Sequence, residues 1–475
     1  MTRKTNGNYL IILAIILGQL ITPIDVGLVN VSLPSIGQGL NLGIAASGWI
    51  MGAFWLFATA FMMITGRMGD MLGRKKIFSW GIAVFLIGSA ASALSPNFPI
   101  LLTMRALQGL GAALTSANSP ALICGAFSDE ERGKALGLLA ATISLGLAIG
   151  PLIGGFICAS LGWRYVFFLN LPIGAAALIL CLRVIPESEV FPEESMDFYG
   201  ALMLLAVLTP ACVALTQSSQ WGLLSPAALG LFILAFAACW VFLRHERAIP
   251  HPLLDLNLLR IPSFSLSNLA AYTVFIAFRV ALFVTPFFLQ YYRGLPVQSI
   301  GLIISLANVV PLLLLIPSGV LSDRIGTTAL ELFGMFSIAL ALGLPVLAGY
   351  DLSVTLIVIS LLLIGFGYSL FYSPNLRAVM ISVPQSKLGF AGGVSASMRN
   401  FGFLTSIALA SSVMGAWASR RPDTPGVIFT DPGFQAAIRH AYFAAFLVTL
   451  LGLAFLYLRH YLMAGVKEER RVTRD

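Results

Sequence analysis

GRMGDMLGRKK (residues 66–76) and GVLSDRIG (residues 319–326) each follow a long apolar run and set one aspartate among glycine and arginine. Asp70 and Asp323 stand 253 positions apart. A second pair of stretches, LQGLGAALTSANSP (107–120) and LIGFGYSLFYSPNL (363–376), places Gly109 and Gly365 256 positions apart. Two independent matches at nearly one offset mark an internal duplication.

The duplicated material is membrane-like. Of 475 residues, 58% are hydrophobic and 10% charged, with a mean hydropathy of +0.91. A soluble domain carries about 25% charged residues. Apolar windows long enough to cross a bilayer recur near 9–33, 47–66, 77–95, 98–122, 135–160, 164–184, 198–216, 226–243, 264–290, 297–321, 329–348, 353–380, 388–416 and 440–462. The first is too long for a cleaved signal peptide and has no cleavage pattern. An even number of spans puts both termini on one side. With that side cytoplasmic, 20 Lys and Arg fall in inner segments and 5 in outer loops, a strong positive-inside bias. The net charge of +8 sits in these short loops and forms no stripe or tail, which excludes nucleic acid as a partner.

Six windows end near residue 184, so a plain six-plus-six chain would repeat at about that spacing; the observed offset exceeds it by about 70 residues, the length of two helices with their loops. The expected fold is all-α and membrane-embedded. It has fourteen transmembrane helices: two pseudo-symmetric six-helix bundles with a two-helix insert. The expected domains are 1–186, the first bundle; 187–261, linker and inserted helices; and 262–475, the second bundle with its tail. Parallel halves of this kind are a transporter plan, with the substrate site between them near midplane. The insert, plainly apolar, is expected at a bundle edge, the acidic stretch 186–197 as a solvated linker, and 419–435 as a long outer loop.

Polar residues inside the windows are the candidate machinery. Asp25 lies in LGQLITPIDVGLVNVSLP (17–34), on a broad polar helix face with Gln19, Thr22 and Ser32. A carboxyl that takes up and releases a proton while facing each side in turn couples transport to a proton gradient. The other reading is a structural carboxylate pinned by one hydrogen bond. Arg105 lies at the same expected depth, roughly 12–14 Å from the outer end of its helix. It is read as the partner of Asp25, released as the halves rock, or as a static hub for helix carbonyls. Gln19, Thr22, Gln108, Arg279 and Arg399 are expected to line the substrate cavity, although Arg279 also reads as a snorkelling residue outside it. With Arg105, the two other arginines give three buried cations against one clear buried anion, which favours an anionic, zwitterionic or neutral substrate. Helix 9 aromatics, Tyr272, Phe275, Phe278, Phe283, Phe287, Phe288 and Tyr291, line the cavity or pack the core. Gly146, Gly150 and Gly154 share a helix face with Pro151 and Gly155 beside it, read as a tight contact between the bundles. Gly66, Asp70, Gly73, Arg74, Asp323 and Arg324 are read as a conformational latch, the aspartates capping helices or pairing across the bundles. Glu331 is a weak candidate for a second coupling carboxylate. The five cysteines read as free buried thiols, and no His or Cys spacing suggests a metal.

These stretches together resemble the major facilitator superfamily, in particular its 14-helix drug:proton antiporter branch. GRMGDMLGRKK resembles the superfamily's cytoplasmic loop, with Met68 and Met71 replacing the usual Leu and Arg. RALQGLGAA (105–113) resembles the helix 4 pattern with its buried arginine, GLAIGPLIGG (146–155) the glycine-proline antiporter pattern, and DVGLVNVSLP (25–34) the helix 1 signature. GWRYVFFLNLPIG (162–174) and SMRNFG (397–402), with Arg399, are similar to the same branch. The resemblance covers nearly the whole chain. It implies a proton-coupled antiporter that exports amphipathic small molecules or drugs by alternating access, or a dedicated metabolite exporter on the same scaffold. It implies no enzyme activity, no cofactor beyond the proton gradient, a monomer in the cell membrane, and a coupling role for Asp25.

Overall fold

Hydrocarbon offers the backbone no water, so segments of this composition satisfy their amides internally as helix. The computed structural model describes residues 2–127, 129–187, 198–222, 225–249, 258–348, 352–384, 388–418 and 432–472. Its long elements are helices: α1 (Thr2–Gly39), α2 (Ile44–Leu72), α3 (Arg74–Ala93), α4 (Phe98–Ala126), α5 (Asp129–Ser160), α6 (Arg164–Phe168), α7 (Asn170–Val184), α8 (Phe198–Trp221), α9 (Pro226–Ala248), α10 (Pro262–Phe287), α11 (Val297–Ile325), α12 (Thr327–Leu347), α13 (Val354–Ile381), α14 (Leu388–Ala418) and α15 (Pro432–Val472). Every apolar window is helical, the sixth being split at Leu169 into α6 and α7. Among the described residues, twelve helices are long and apolar enough to span a membrane, and α8 is apolar over the shorter Leu202–Gln217. The acidic stretch lies outside the described residues from 188 to 197, and the loop before α15 from 419 to 431.

The duplication is repeated in the packing. In the first set α1 packs on α5 and α7, α2 on α4, and α3 on α4 and α7; in the second α10 packs on α14 and α15, α11 on α13, and α12 on α13 and α15. The two aspartate loops close the same way. Gly73 (φ 97°) and Gly326 (φ 86°) are the single residues joining α2 to α3 and α11 to α12. That left-handed backbone favours glycine, which explains why both loops place a glycine three residues after the aspartate, just past the helix end.

The bundles meet where α5 crosses α11 and α2 crosses α14. One hydrogen bond across the seam, from Asn400 Nδ2 to Met62 Sδ at 3.2 Å, lies in the half nearer the termini; three more residue pairs join at the remote end. Asn30 donates to the Leu282 carbonyl at 3.1 Å, Gln290 to Ser35 Oγ at 3.1 Å, and the Tyr291 hydroxyl to the Pro34 carbonyl at 2.7 Å. α8 is not confined to an edge: it touches α2 and α14, one helix of each bundle, while α9 packs on α8.

Candidate functional site

Asp25 is fully buried and fully engaged. Arg105 donates from Nη1 to its Oδ2 at 2.7 Å, Asn170 Nδ2 to Oδ1 at 2.8 Å and Gln108 Nε2 to Oδ1 at 3.4 Å. Arg105 also donates to the Gln108 side-chain oxygen at 2.8 Å and, through Nε, to the Ile50 carbonyl at 3.1 Å, and it faces the Phe54 ring at 4.6 Å. Asn170 donates further to Ser89, which donates to the Phe167 carbonyl. An ion pair removed from water survives only when its remaining donors and acceptors are met; Asp25 and Arg105 meet theirs here, while the Asn170 side-chain oxygen is buried without a donor. The sequence pointed to Asp25 and Arg105 at one level, and they touch. Asn170, in the short α7, went unread: one asparagine near a helix start reads as a cap, and nothing local announces a partner 145 positions away.

A cavity of about 210 Å³ lies between the bundles. Counted along each helix, its walls fall at midplane and in the half nearer the termini, below the closing contacts. From the first bundle Gln19, Thr22, Pro23, Val26, Trp55 and Met62 reach it; from the second Phe278, Arg279, Tyr368, Tyr372, Arg399 and Phe403 do. Arg279 therefore lies in the cavity wall and does not snorkel elsewhere, and Arg399 stands beside it. Gln108 departs from expectation. It is fully buried and turned to Asp25, behind the wall. Asp25 itself leaves the Gln19–Thr22 face because six residues at 100° each carry it a third of a turn from Gln19. Of the α10 aromatics, Phe278 lines the cavity. Phe275, Phe283 and Phe287 are core, as is Phe288 just past the end of α10.

Gly146, Gly150 and Gly154 also differ from the reading given to them. A Cβ on each would lie 2.8 Å from Pro23 Cγ, 2.7 Å from the Ile24 carbonyl and 2.8 Å from Leu28 Cα. The row thus packs α5 on α1 inside one bundle. The contact between bundles belongs to the adjacent face. A Cβ on Gly155 would sit 2.6 Å from the Val297 carbonyl, and one on Gly301 2.3 Å from the Pro151 carbonyl. This crossing lies at the remote end, not at the termini end.

The first latch loop is tied to its own bundle. Arg74 pairs with Asp70 at 2.7 Å and reaches the Ala121 carbonyl on α4; Gly69 is pressed against Asn118, and Gly66 lies beside Ala117. In the second loop Arg324 is exposed, and the Asp323 side chain lies outside the described residues.

A second buried ion pair was missed. Arg459, one of the 20 cations counted in the inner segments, is 2% exposed inside α15 and closes on both oxygens of Glu331 at the start of α12, with a further bond of 2.7 Å to Ser267. It ties α12, α15 and α10 within the second bundle. The signal was available: Arg459, like Arg105, is an arginine inside a long apolar run, one turn from its end where Arg105 is about two.

A family model described as "Major Facilitator Superfamily" matches residues 15–407. Among curated proteins, the chain is 32% identical over 409 residues to multidrug resistance protein Stp of Mycobacterium tuberculosis, covering 85% of this chain and 75% of that one. It is 28% identical over 408 residues to riboflavin transporter RibZ of Clostridioides difficile, covering 85% and 88%. Among solved structures, a D-xylose-proton symporter aligns with a TM-score of 0.66 at 17% identity over 94% of this chain and 97% of that one.

Proposed function

This chain belongs to the major facilitator superfamily, and from that premise we propose that it is a proton-coupled antiporter exporting amphipathic small molecules by alternating access. The observation that carries the reading is the fully buried Asp25–Arg105 pair on helices that also form the cavity wall. α1 joins three tasks. It holds the carboxylate at Asp25, lines the cavity through Gln19, Thr22, Pro23 and Val26, and closes the remote end through Asn30, Pro34 and Ser35.

Because Asp25, Arg105, Gln108 and Asn170 all lie in one bundle, rigid rocking of the bundles does not by itself part them. Neutralising Asp25 removes the charge that Arg105 and Asn170 converge on, freeing α1 to shift against α4 and α7. Pro23 and Pro34 interrupt the hydrogen-bond ladder of α1 and make it bendable there. A shift of α1 carries the remote closing contacts with it. With the termini in the cytoplasm, the present arrangement is inward-facing, ready to load a molecule from that side. Protonation from outside and release inside would drive the cycle.

A second reading is a dedicated exporter of one anionic, zwitterionic or lipid-like metabolite. Among the described residues the cavity lining carries two arginines and no carboxylate, which favours it, and a relative named for riboflavin is compatible with it. The test of the leading reading uses everted membrane vesicles with an acid interior and amphipathic dyes of both charge signs. Uptake by the wild type that is lost in Asp25→Asn supports it; uptake equal in both removes Asp25 from coupling.

A further inference from the structure

Two cations line the cavity and, among the described residues, no carboxylate does. Arg279 on α10 and Arg399 on α14 lie within range of each other's charge. Asp25, on the cavity-lining α1, is fully buried and already holds Arg105. The Nε of Arg279 is buried with no acceptor. Like charges in a partly dry space repel, and a buried donor without an acceptor carries its full desolvation cost. A ligand that brings a negative group relieves the repulsion. The guanidinium is suited to that ligand, since its planar fork matches a carboxylate or sulfonate with two parallel bonds. The Phe403 ring centroid lies 4.0 Å from Arg279 Cζ and that of Phe278 5.8 Å, so the guanidinium sits among aromatic rings. Beside the arginines the wall is aromatic. Phe278 stacks on Tyr368 at 4.8 Å, and Tyr368 on Tyr372 at 5.4 Å with the rings 8° from parallel.

We propose that this cavity binds an aromatic organic anion, with Arg279 and Arg399 holding its carboxylate or sulfonate and the Tyr368–Tyr372 stack receiving its ring. The proposal rests on the reading that the cavity is the site of the transported molecule, and it names that molecule's charge. It also separates the two charges of the cycle. The proton sits on α1 inside the first bundle, the substrate anion on α10 and α14 of the second, so neither competes for the other's residue.

The test is equilibrium binding to the purified full-length chain in detergent, read by fluorescence anisotropy. The probes are carboxyfluorescein, an anionic xanthene, and rhodamine 6G, a cationic xanthene of similar ring size. The wild type is expected to bind carboxyfluorescein at least about tenfold more tightly than rhodamine 6G. Arg279→Gln and Arg399→Gln are each expected to weaken carboxyfluorescein roughly tenfold, and Arg279→Lys to weaken it less. Rhodamine 6G bound as tightly as carboxyfluorescein, or carboxyfluorescein affinity unchanged in the glutamine variants, overturns the proposal. The dye comparison on the wild type needs no variant, so a variant that fails to fold leaves the decision intact. No gradient is applied, so a failure of proton coupling at Asp25 and a failure of anion selectivity are read in separate assays.

Discussion

At the scale of single residues, charge without water explains most of what is placed where. Asp25 and Arg105 were legible because an ionisable residue in an apolar run has few tolerable surroundings, and two such residues at one depth supply each other's. Their further partners were not, because Asn170 and Ser89 are ordinary in their local sequence and acquire meaning only by folding. Gln108 was misassigned for a related reason: polarity on a helix does not say which of two polar surroundings it serves. Arg459 was misplaced because an arginine near the end of an apolar run also reads as an anchor at the interface. Its burial gives a clean prediction. Glu331→Gln leaves the Arg459 charge buried without a counter-ion and is expected to destabilise the chain by about 3 kcal/mol. Glu331→Gln with Arg459→Met, which removes both charges, is expected to recover most of that loss. Thermal unfolding of the four proteins of this cycle in detergent measures it; equal loss in the single and double variants contradicts it.

Among the helices, glycine decides how closely two can cross. The spacing Gly146, Gly150, Gly154 gave a face but not the helix that meets it, since a small-residue stripe fits any close neighbour. The row seats α5 on α1, while Gly155 on α5 and Gly301 on α11 seat the two bundles on one another at the remote end. Gly301→Leu puts a side chain where even a Cβ lies 2.3 Å from the Pro151 carbonyl, so the remote end should fail to close. The expected outcome is a shift of the resting state. A cysteine introduced by Asn30→Cys, in a chain whose natural cysteines are replaced by alanine, should react with a membrane-impermeant maleimide added at the remote face only when Gly301→Leu is also present. Labelling equal with and without Gly301→Leu would show that the α5–α11 crossing does not hold the gate. The insert illustrates the same limit of reading. Its two helices were legible as apolar windows, but the position of α8 across the seam depends on surfaces of α2 and α14 that no window reveals.

Across the whole molecule, the two-bundle plan follows from a repeat that the sequence displays at two loops and that the packing carries through twelve helices. In the proposed antiport, what the cycle moves follows from how charge is divided between the halves. One entering proton and one departing anion, in that proposed exchange, carry at least two charges in the same electrical sense, worth about 5 kcal/mol per 100 mV or more for a multiply charged anion. Uptake of carboxyfluorescein into everted vesicles should therefore rise with an interior-positive potential imposed by potassium and valinomycin at fixed pH gradient. Uptake indifferent to that potential would indicate a different exchange. The measurement that bears most directly on proton coupling itself is infrared difference spectroscopy of the reconstituted protein on acidification, wild type against Asp25→Asn. A protonated carboxyl band that appears in the wild type and is missing from Asp25→Asn is the predicted result. Identical difference spectra for the two proteins would mean that Asp25 keeps its charge beside Arg105 throughout, and that the proton is carried elsewhere.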